Sequence, residues 1–150
     1  MESSLNSVVV RDVLANKAKK EVSCIKMDNT VFDALVLMAE ENIGAVMVTD
    51  EKGMMVGIFS ERDYARNVYL KGKSSRDLTV KEVMTPLESV YRVKPETSIE
   101  DCMVLMTGKH VRHLPVFSDD KFVGIVSIGD VVKAVISPKN SDWFWVALWG

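Results

Sequence analysis

Gly57-Ile58-Phe59-Ser60-Glu61-Arg62-Asp63 returns later in the chain as Gly124-Ile125-Val126-Ser127-Ile128-Gly129-Asp130. Both stretches read as a buried strand running into a helix. Ser stands at the junction and Asp at the third helical position. A Ser in that place can accept hydrogen bonds from the first-turn amides, which have no partner within the helix. The same amides, with the helix dipole behind them, can instead hold an anion such as a phosphate. Gly, three residues before each Ser, lets a flat ligand approach the strand backbone or serves a turn and close packing.

The repeat reaches far beyond these stretches. Val10-Arg11-Asp12-Val13-Leu14 corresponds to Val80-Lys81-Glu82-Val83-Met84, and Val22 to Thr49 aligns without gaps to Val90 to Phe117. Asp33, Val36, Leu37 and Met38 match Asp101, Val104, Leu105 and Met106. The period of about 68 residues exceeds the roughly 20–50 of solenoids, so it denotes two folded units and not an array.

Each copy reads as strand, helix, strand, strand, helix, an α/β (α+β) pattern. Strands are expected at Val22–Ile25 and Val90–Val93. Thr30-x-x-Asp33 and Ser98-x-x-Asp101 resemble capping boxes opening helices over Thr30–Glu41 and Ser98–Lys109. Val31 to Ala39 is apolar nearly all round, which predicts burial on more than one side. Hairpins follow, with strands at Ala45–Thr49 and Met55–Phe59, then at Leu114–Phe117 and Phe122–Val126. Second helices are expected over Glu61–Leu70 and Gly129–Ile136, stopped by Gly72 and Pro138. The organisation is thus repeat one over 8–72, a linker at 73–79, repeat two over 80–137 and a tail at 138–150. Neither copy alone buries much surface. The two are expected to pack sheet to sheet with pseudo-twofold symmetry, leaving two related clefts.

Composition narrows the function. The chain is 47% hydrophobic and 27% charged, with net charge -2 and a pI near 5.7. That describes a globular protein without the basic field that nucleic-acid binding needs. Lys17, Lys19 and Lys20 form a small basic run, read as a solvated helix end. Cys24 and Cys102 lie in apolar runs without metal-ligand spacing and read as reduced core residues. His110 and His113 have no ligand partners in pattern, so no metal site is assigned. No apolar run approaches the roughly 20 residues of a membrane span. With Glu2 and Asp12 and without a long apolar core, the first residues do not read as a secretory signal, and none is expected. The expected compartment is the cytoplasm, or an organelle matrix after removal of a targeting peptide.

Trp143-Phe144-Trp145-Val146-Ala147-Leu148-Trp149 has no counterpart after repeat one. Packing on this chain or on a copy of it is the preferred reading, ahead of a lipid surface.

Two such copies, each closing on Gly-Ile-x-Ser-x-x-Asp, resemble a tandem pair of CBS domains, the Bateman module. Asn42-Ile43-Gly44-Ala45, Ser60-Glu61-Arg62-Asp63-Tyr64-Ala65-Arg66 and Val111-Arg112-His113-Leu114-Pro115-Val116 look like the small stand-alone pairs of that family. The likeness covers residues 8 to 136. It implies adenosine ligands: AMP, ADP, ATP, NAD or S-adenosylmethionine. It also implies that Asp63 and Asp130 bind ribose hydroxyls, that Ser60 and Ser127 contact phosphate, and that Ile58 and Ile125 line the adenine slot. Asn29, Ala34 and Met55 would complete the site of Asp130. Thr97, Cys102 and Phe122 would complete that of Asp63. Arg112 and His113 are phosphate candidates in repeat two, where repeat one has Gly44 and Ala45, so the two clefts should be unequal. Arg62, opposite Gly129, is a further candidate.

From local pattern alone, ribose binding and simple helix capping stand even for Ser60 with Asp63 and Ser127 with Asp130. The resemblance favours a regulatory module, probed by an adenine nucleotide and reporting to a partner protein, and a homodimer. A ligand-free scaffold is the alternative, kept open by Asn29 and Cys102, where the family more often has a hydroxyl residue and alanine. No nucleophile with a base and an orienting group is legible, so no catalytic residue is assigned.

Overall fold

The strand-to-helix turn read twice in the sequence is built twice in the computed structural model, which describes residues 8–17 and 22–136. In chain order the elements are α1 (Val10–Ala15), β1 (Cys24–Lys26), α2 (Val31–Glu41), β2 (Ala45–Thr49), β3 (Met55–Ser60) and α3 (Glu61–Tyr64). The last of these continues as a π-helical turn, Ala65–Tyr69. Then come α4 (Val80–Val83), β4 (Thr85–Pro86), a 3₁₀ turn at Leu87–Ser89, α5 (Ile99–Lys109), β5 (His113–Ser118), β6 (Lys121–Ser127) and α6 (Ile128–Val135). Pro138 and the Trp-rich tail lie outside the described residues. No helix among the described residues is long and apolar enough to cross a membrane.

Helix starts follow the sequence. Thr30 Oγ1 accepts the Asp33 N–H at 3.1 Å, and Ser98 Oγ accepts the Asp101 N–H at 3.0 Å. Both long helices end on a left-handed residue, Asn42 and His110, with φ of 55° and 56°. One expectation fails. Helix α2 buries Val31, Ala34 and Met38 on one face, while Val36 is 39% exposed. Leu35 and Leu37, to either side of that stripe, are only partly buried against the same core.

Contacts divide the chain into two compact units. One contains residues 22–90; the other joins residues 8–17 to 91–136. In the first, β1 pairs parallel with β2 (Ile25 opposite Val48), β2 antiparallel with β3 (Val46 opposite Phe59), and β3 antiparallel with β4 (Ile58 opposite Thr85). Its core gathers Ile25, Val31, Ala34, Met38, Phe59 and Val80. In the second, β5 and β6 form a hairpin with Leu114 opposite Val126. The strand expected over Val90–Val93 shrinks to a parallel bridge between Val93 and Val116. Val90 is drawn away because its N–H closes the 3₁₀ turn on the Leu87 carbonyl at 3.1 Å.

Unit boundaries do not follow the repeats. Helix α4 opens repeat two in sequence yet docks on the body of repeat one. There the Val80 N–H donates to the Asn29 carbonyl (2.8 Å), Lys81 N–H to Met27 (3.0 Å), and Val31 N–H to Leu78 (2.9 Å). Helix α1 opens repeat one yet docks on the body of repeat two. The same bonds recur as Val10 to Thr97 (2.9 Å), Arg11 to Pro95 (2.8 Å) and Ile99 to Val8 (3.0 Å). Each lead helix buries two valines, Val10 with Val13 and Val80 with Val83, in the core it completes.

Candidate functional site

Ser60 and Asp63 lock each other at the start of α3. Asp63 Oδ2 accepts the Ser60 N–H at 3.0 Å and its hydroxyl at 3.1 Å, while Ser60 Oγ accepts the Asp63 N–H at 3.3 Å. Oδ1 accepts the Thr85 hydroxyl at 3.0 Å. Strand β4 delivers that hydroxyl, because Thr85 lies opposite Ile58. Burial pushes the Asp63 carboxyl above the ordinary carboxylate range. The Ser60 amide, the Thr85 and Ser60 hydroxyls and the Arg62 charge all pull it down, without prevailing.

Ser127 and Asp130 repeat the lock at α6. Asp130 Oδ2 accepts the Ser127 N–H at 2.9 Å, and Ser127 Oγ accepts the Asp130 N–H at 3.1 Å. The remaining partner differs in kind. Lys17 Nζ donates to Asp130 Oδ2 at 3.0 Å and to the Ile125 carbonyl at 3.0 Å. Its side chain is 31% exposed and that of Asp130 only 12%. Lys17 is therefore no solvated helix end but the counterion of a largely buried carboxylate. Both Asp130 contacts fall on Oδ2; Oδ1 takes no bond from the described residues. Among them, Asp130 keeps one carboxylate oxygen without a bond, whereas both oxygens of Asp63 carry one.

Capping consumes much of what an anion would use. The first amide of each helix donates to the chain itself, Glu61 N–H to the Gly44 carbonyl (3.0 Å) and Ile128 N–H to the Arg112 carbonyl (2.8 Å). The third amides are those of Asp63 and Asp130, already bonded to serine hydroxyls. An anion at either turn is left with the second amide, that of Arg62 or Gly129. The motif glycines serve packing. A Cβ on Gly57 would come to 2.5 Å from the Thr85 carbonyl oxygen and 2.8 Å from Met84 Sδ. On Gly124 it would meet Leu14 Cδ2 at 3.0 Å. Leu14 of α1 and the residues just after α4, Met84 and Thr85, occupy the space where a Cβ on these glycines would sit.

The other expected site residues are placed as follows. Ile58 and Ile125 are buried strand residues, and Ala34 and Cys102 are fully buried in their cores. Burial, then Asp101, pushes the Cys102 thiol up to about 11. Cys24, expected in a core, is exposed instead, because β1 turns only Ile25 inward. His113 lies opposite Ser127 across the hairpin, and the neighbouring Arg112 accepts the Ile128 N–H on its backbone carbonyl. Phe122 stands at the far end of β6, edge-on to Phe117 with ring centroids 5.6 Å apart. Met55 is at the matching end of β3. Asn29 and Thr97 lend their carbonyls to the lead helices. Asn29, Ala34 and Met55 share a unit with Asp63, and Thr97, Cys102 and Phe122 share one with Asp130. Sequence reasoning missed Lys17 and Thr85, and also an open cavity of about 340 Å³ lined by Leu35, Met38, Ala39, Asn42, Ile43, Gly44 and Glu61.

Comparison with known proteins gives a consistent result. The CBS domain family profile matches residues 10–69 and again 80–137. The CBS domain-containing protein CBSX3, mitochondrial, of Arabidopsis thaliana is 39% identical over 146 residues, covering 94% of this chain and 71% of that protein. The solved structure of a putative signal-transduction protein with CBS domains from Burkholderia ambifaria superposes with a TM-score of 0.81 at 41% identity, over 87% of this chain and 95% of the other. A CBS-domain protein from Agrobacterium tumefaciens gives 0.79 at 35% identity, over 89% and 98%.

Proposed function

The chain belongs to the CBS-domain family, and from that membership we propose that it is a regulatory module that binds an adenosine-containing ligand and reports its level to a partner protein. AMP, ADP and ATP are the first choices, ahead of NAD and S-adenosylmethionine. One observation carries the reading: Asp130 is held rigid through Oδ2 while Oδ1 takes no bond from the described residues. A carboxylate so placed can accept a ribose hydroxyl without first breaking its own cap. Arg112 supplies a cationic group for a phosphate, with the His113 ring beside it in sequence. The module acts by binding and not by turnover. A bound ligand changes a partner only through different affinities for two states of the module.

The motif at Asp63 favours the second reading, a structural role. Thr85 and Ser60 occupy both of its oxygens. We assign the stronger of the two expected sites to Asp130 and the weaker to Asp63. We further propose a homodimer, supported by the apolar Val104, Ile128 and Val132 left exposed on α5 and α6. The compartment we propose is a reducing one, the cytoplasm or, as the name of the plant relative would allow, a mitochondrial matrix. Native mass spectrometry of freshly purified protein followed by calorimetry with AMP tests the reading. One tight site per chain and a dimer mass are expected. Absence of binding by AMP, ADP, ATP, NAD and S-adenosylmethionine would leave the scaffold, and conversion of ATP or NAD to product would replace it by an enzyme.

A further inference from the structure

We propose that Lys17 makes the Asp130 motif selective for phosphorylated nucleosides over neutral ones, an inference that rests on the adenosine-ligand reading above. The two motifs share the Ser–Asp cap and differ in what reaches the carboxylate from the segment that follows Val13 or Val83. Aligning Val10 with Val80 sets Ala15 opposite Thr85 and Lys17 opposite Leu87. In the unit containing Asp63, Thr85 pairs with Ile58 as a strand and gives its hydroxyl to Asp63. Ala15 has no hydroxyl to give. In its stead Lys17 reaches both the Ile125 carbonyl, the counterpart of Ile58, and the Asp130 carboxylate. A neutral, fixed contact in one unit is replaced by a charged contact on a flexible stem in the other.

That replacement has a consequence for ligand choice. A ribose that sets one hydroxyl on each carboxylate oxygen of Asp130 meets the Lys17 ammonium on Oδ2. The ligand must displace it. A charged group that is only 31% exposed loses its counterion in that step, and this is costly unless another anion replaces it. A phosphorylated ligand carries its own anion, which the ammonium can follow on its four-carbon stem. A nucleoside has none and leaves Lys17 unpaired. Lys17 therefore opposes neutral nucleosides and favours phosphorylated ones, while Thr85 cannot discriminate between them at Asp63.

The experiment measures AMP and adenosine affinity by calorimetry on the full chain with Lys17, Lys17→Met and Lys17→Arg. All carry Asp63→Asn, an isosteric change that leaves one carboxylate motif to report, and circular dichroism confirms the fold of each. Lys17→Met should weaken AMP and strengthen or leave adenosine unchanged, lowering the ratio of the two affinities by about tenfold, as expected for loss of one charge-assisted hydrogen bond. Lys17→Arg should keep most of the ratio. An unchanged ratio in Lys17→Met, or equal changes for both ligands, overturns the proposal while the binding reading stands. No binding of either ligand by the parent protein overturns the binding reading itself, and the proposal with it.

Discussion

Thr85 donates its hydroxyl to Asp63 Oδ1 across 3.0 Å, tying the motif carboxylate to a segment 22 residues further along the chain. This bond is one of those holding the Asp63 carboxyl down against the burial that pushes it up. Thr85→Val should cost about 1.5 kcal/mol at neutral pH, roughly 3–6 °C in melting temperature. It should also move the Asp63 carboxyl further up. Carbon-detected NMR titration of the aspartates checks the second effect, and a downward move would contradict the assignment.

The same carboxyl gives a pH dependence of defined sign. Its folded value lies above its unfolded one, so the folded state holds the proton more tightly. The resulting stability is present below the unfolded value, about 3.9, and is lost as pH rises through the folded value. Asp63→Asn removes this dependence. The stability of Asp63→Asn relative to the natural protein should therefore increase from acid towards neutral pH. Chemical denaturation at several pH values reads the difference directly, and a flat or falling difference would refute it.

Docking of each lead helix on the body of the other repeat predicts where damage appears. Val10 and Val80 are both fully buried. Val10→Ala should cost on the order of 2 kcal/mol and should raise hydrogen exchange in α5, β5, β6 and α6, leaving α2 to β3 protected. Val80→Ala should do the reverse. Exchange that increases in the repeat following the mutated helix in sequence would contradict the unit boundaries.

How far the sequence could carry this reading depended on the range of each interaction. Helix starts are local: Thr30 with Asp33 and Ser98 with Asp101 are three residues apart, and both caps are present. Hairpin strands are legible for the same reason, with Ala45–Thr49 found at its expected bounds. The lead helices were recognised as copies, but their partners were not. Val10 bonds to Thr97 and Val80 to Asn29, and nothing in a local pattern says which of two equivalent bodies a short helix completes. Lys17 was misread because its partner Asp130 is 113 residues away. A signal did exist: the lead-helix alignment puts Ala15 and Lys17 where the other copy has Thr85 and Leu87. The ribose assignment of the motif aspartates could not be separated from capping by spacing, since both need Asp three residues after Ser. The structure shows that capping is realised at both.

The motif glycines should tolerate alanine unequally. On Gly57 a Cβ meets the Thr85 carbonyl oxygen at 2.5 Å, a backbone atom fixed by pairing of β3 with β4. Gly57→Ala must push β4 away, costing about 1–3 kcal/mol. On Gly124 the nearest atoms are Leu14 Cδ2 and Cδ1, at 3.0 and 3.2 Å. A leucine side chain can change rotamer, so Gly124→Ala should cost under about 1 kcal/mol. Melting curves of the two variants check the order, and a greater loss for Gly124→Ala would contradict it.

Capping and ribose binding by Asp130 part only when ligand is added. Asp130→Ala removes a cap contribution of about 1 kcal/mol in either case, so the unliganded protein should melt slightly lower. It also strands the Lys17 ammonium beside Ile125, which adds to the loss. A ligand bound by the folded state alone stabilises it by about 2.7 kcal/mol at one hundred times its dissociation constant. For a chain of this length that is a rise of roughly 5–11 °C. If Asp130 grips the ribose, Asp130→Ala should lose most of that rise, and because Asp63 has both oxygens engaged, Asp63→Ala should keep most of it. If Asp130 only caps, its variant melts lower yet keeps the full rise. Differential scanning fluorimetry with AMP, alongside calorimetry on the same samples, decides between them, and a full rise at unchanged affinity in Asp130→Ala removes this residue from the ligand site.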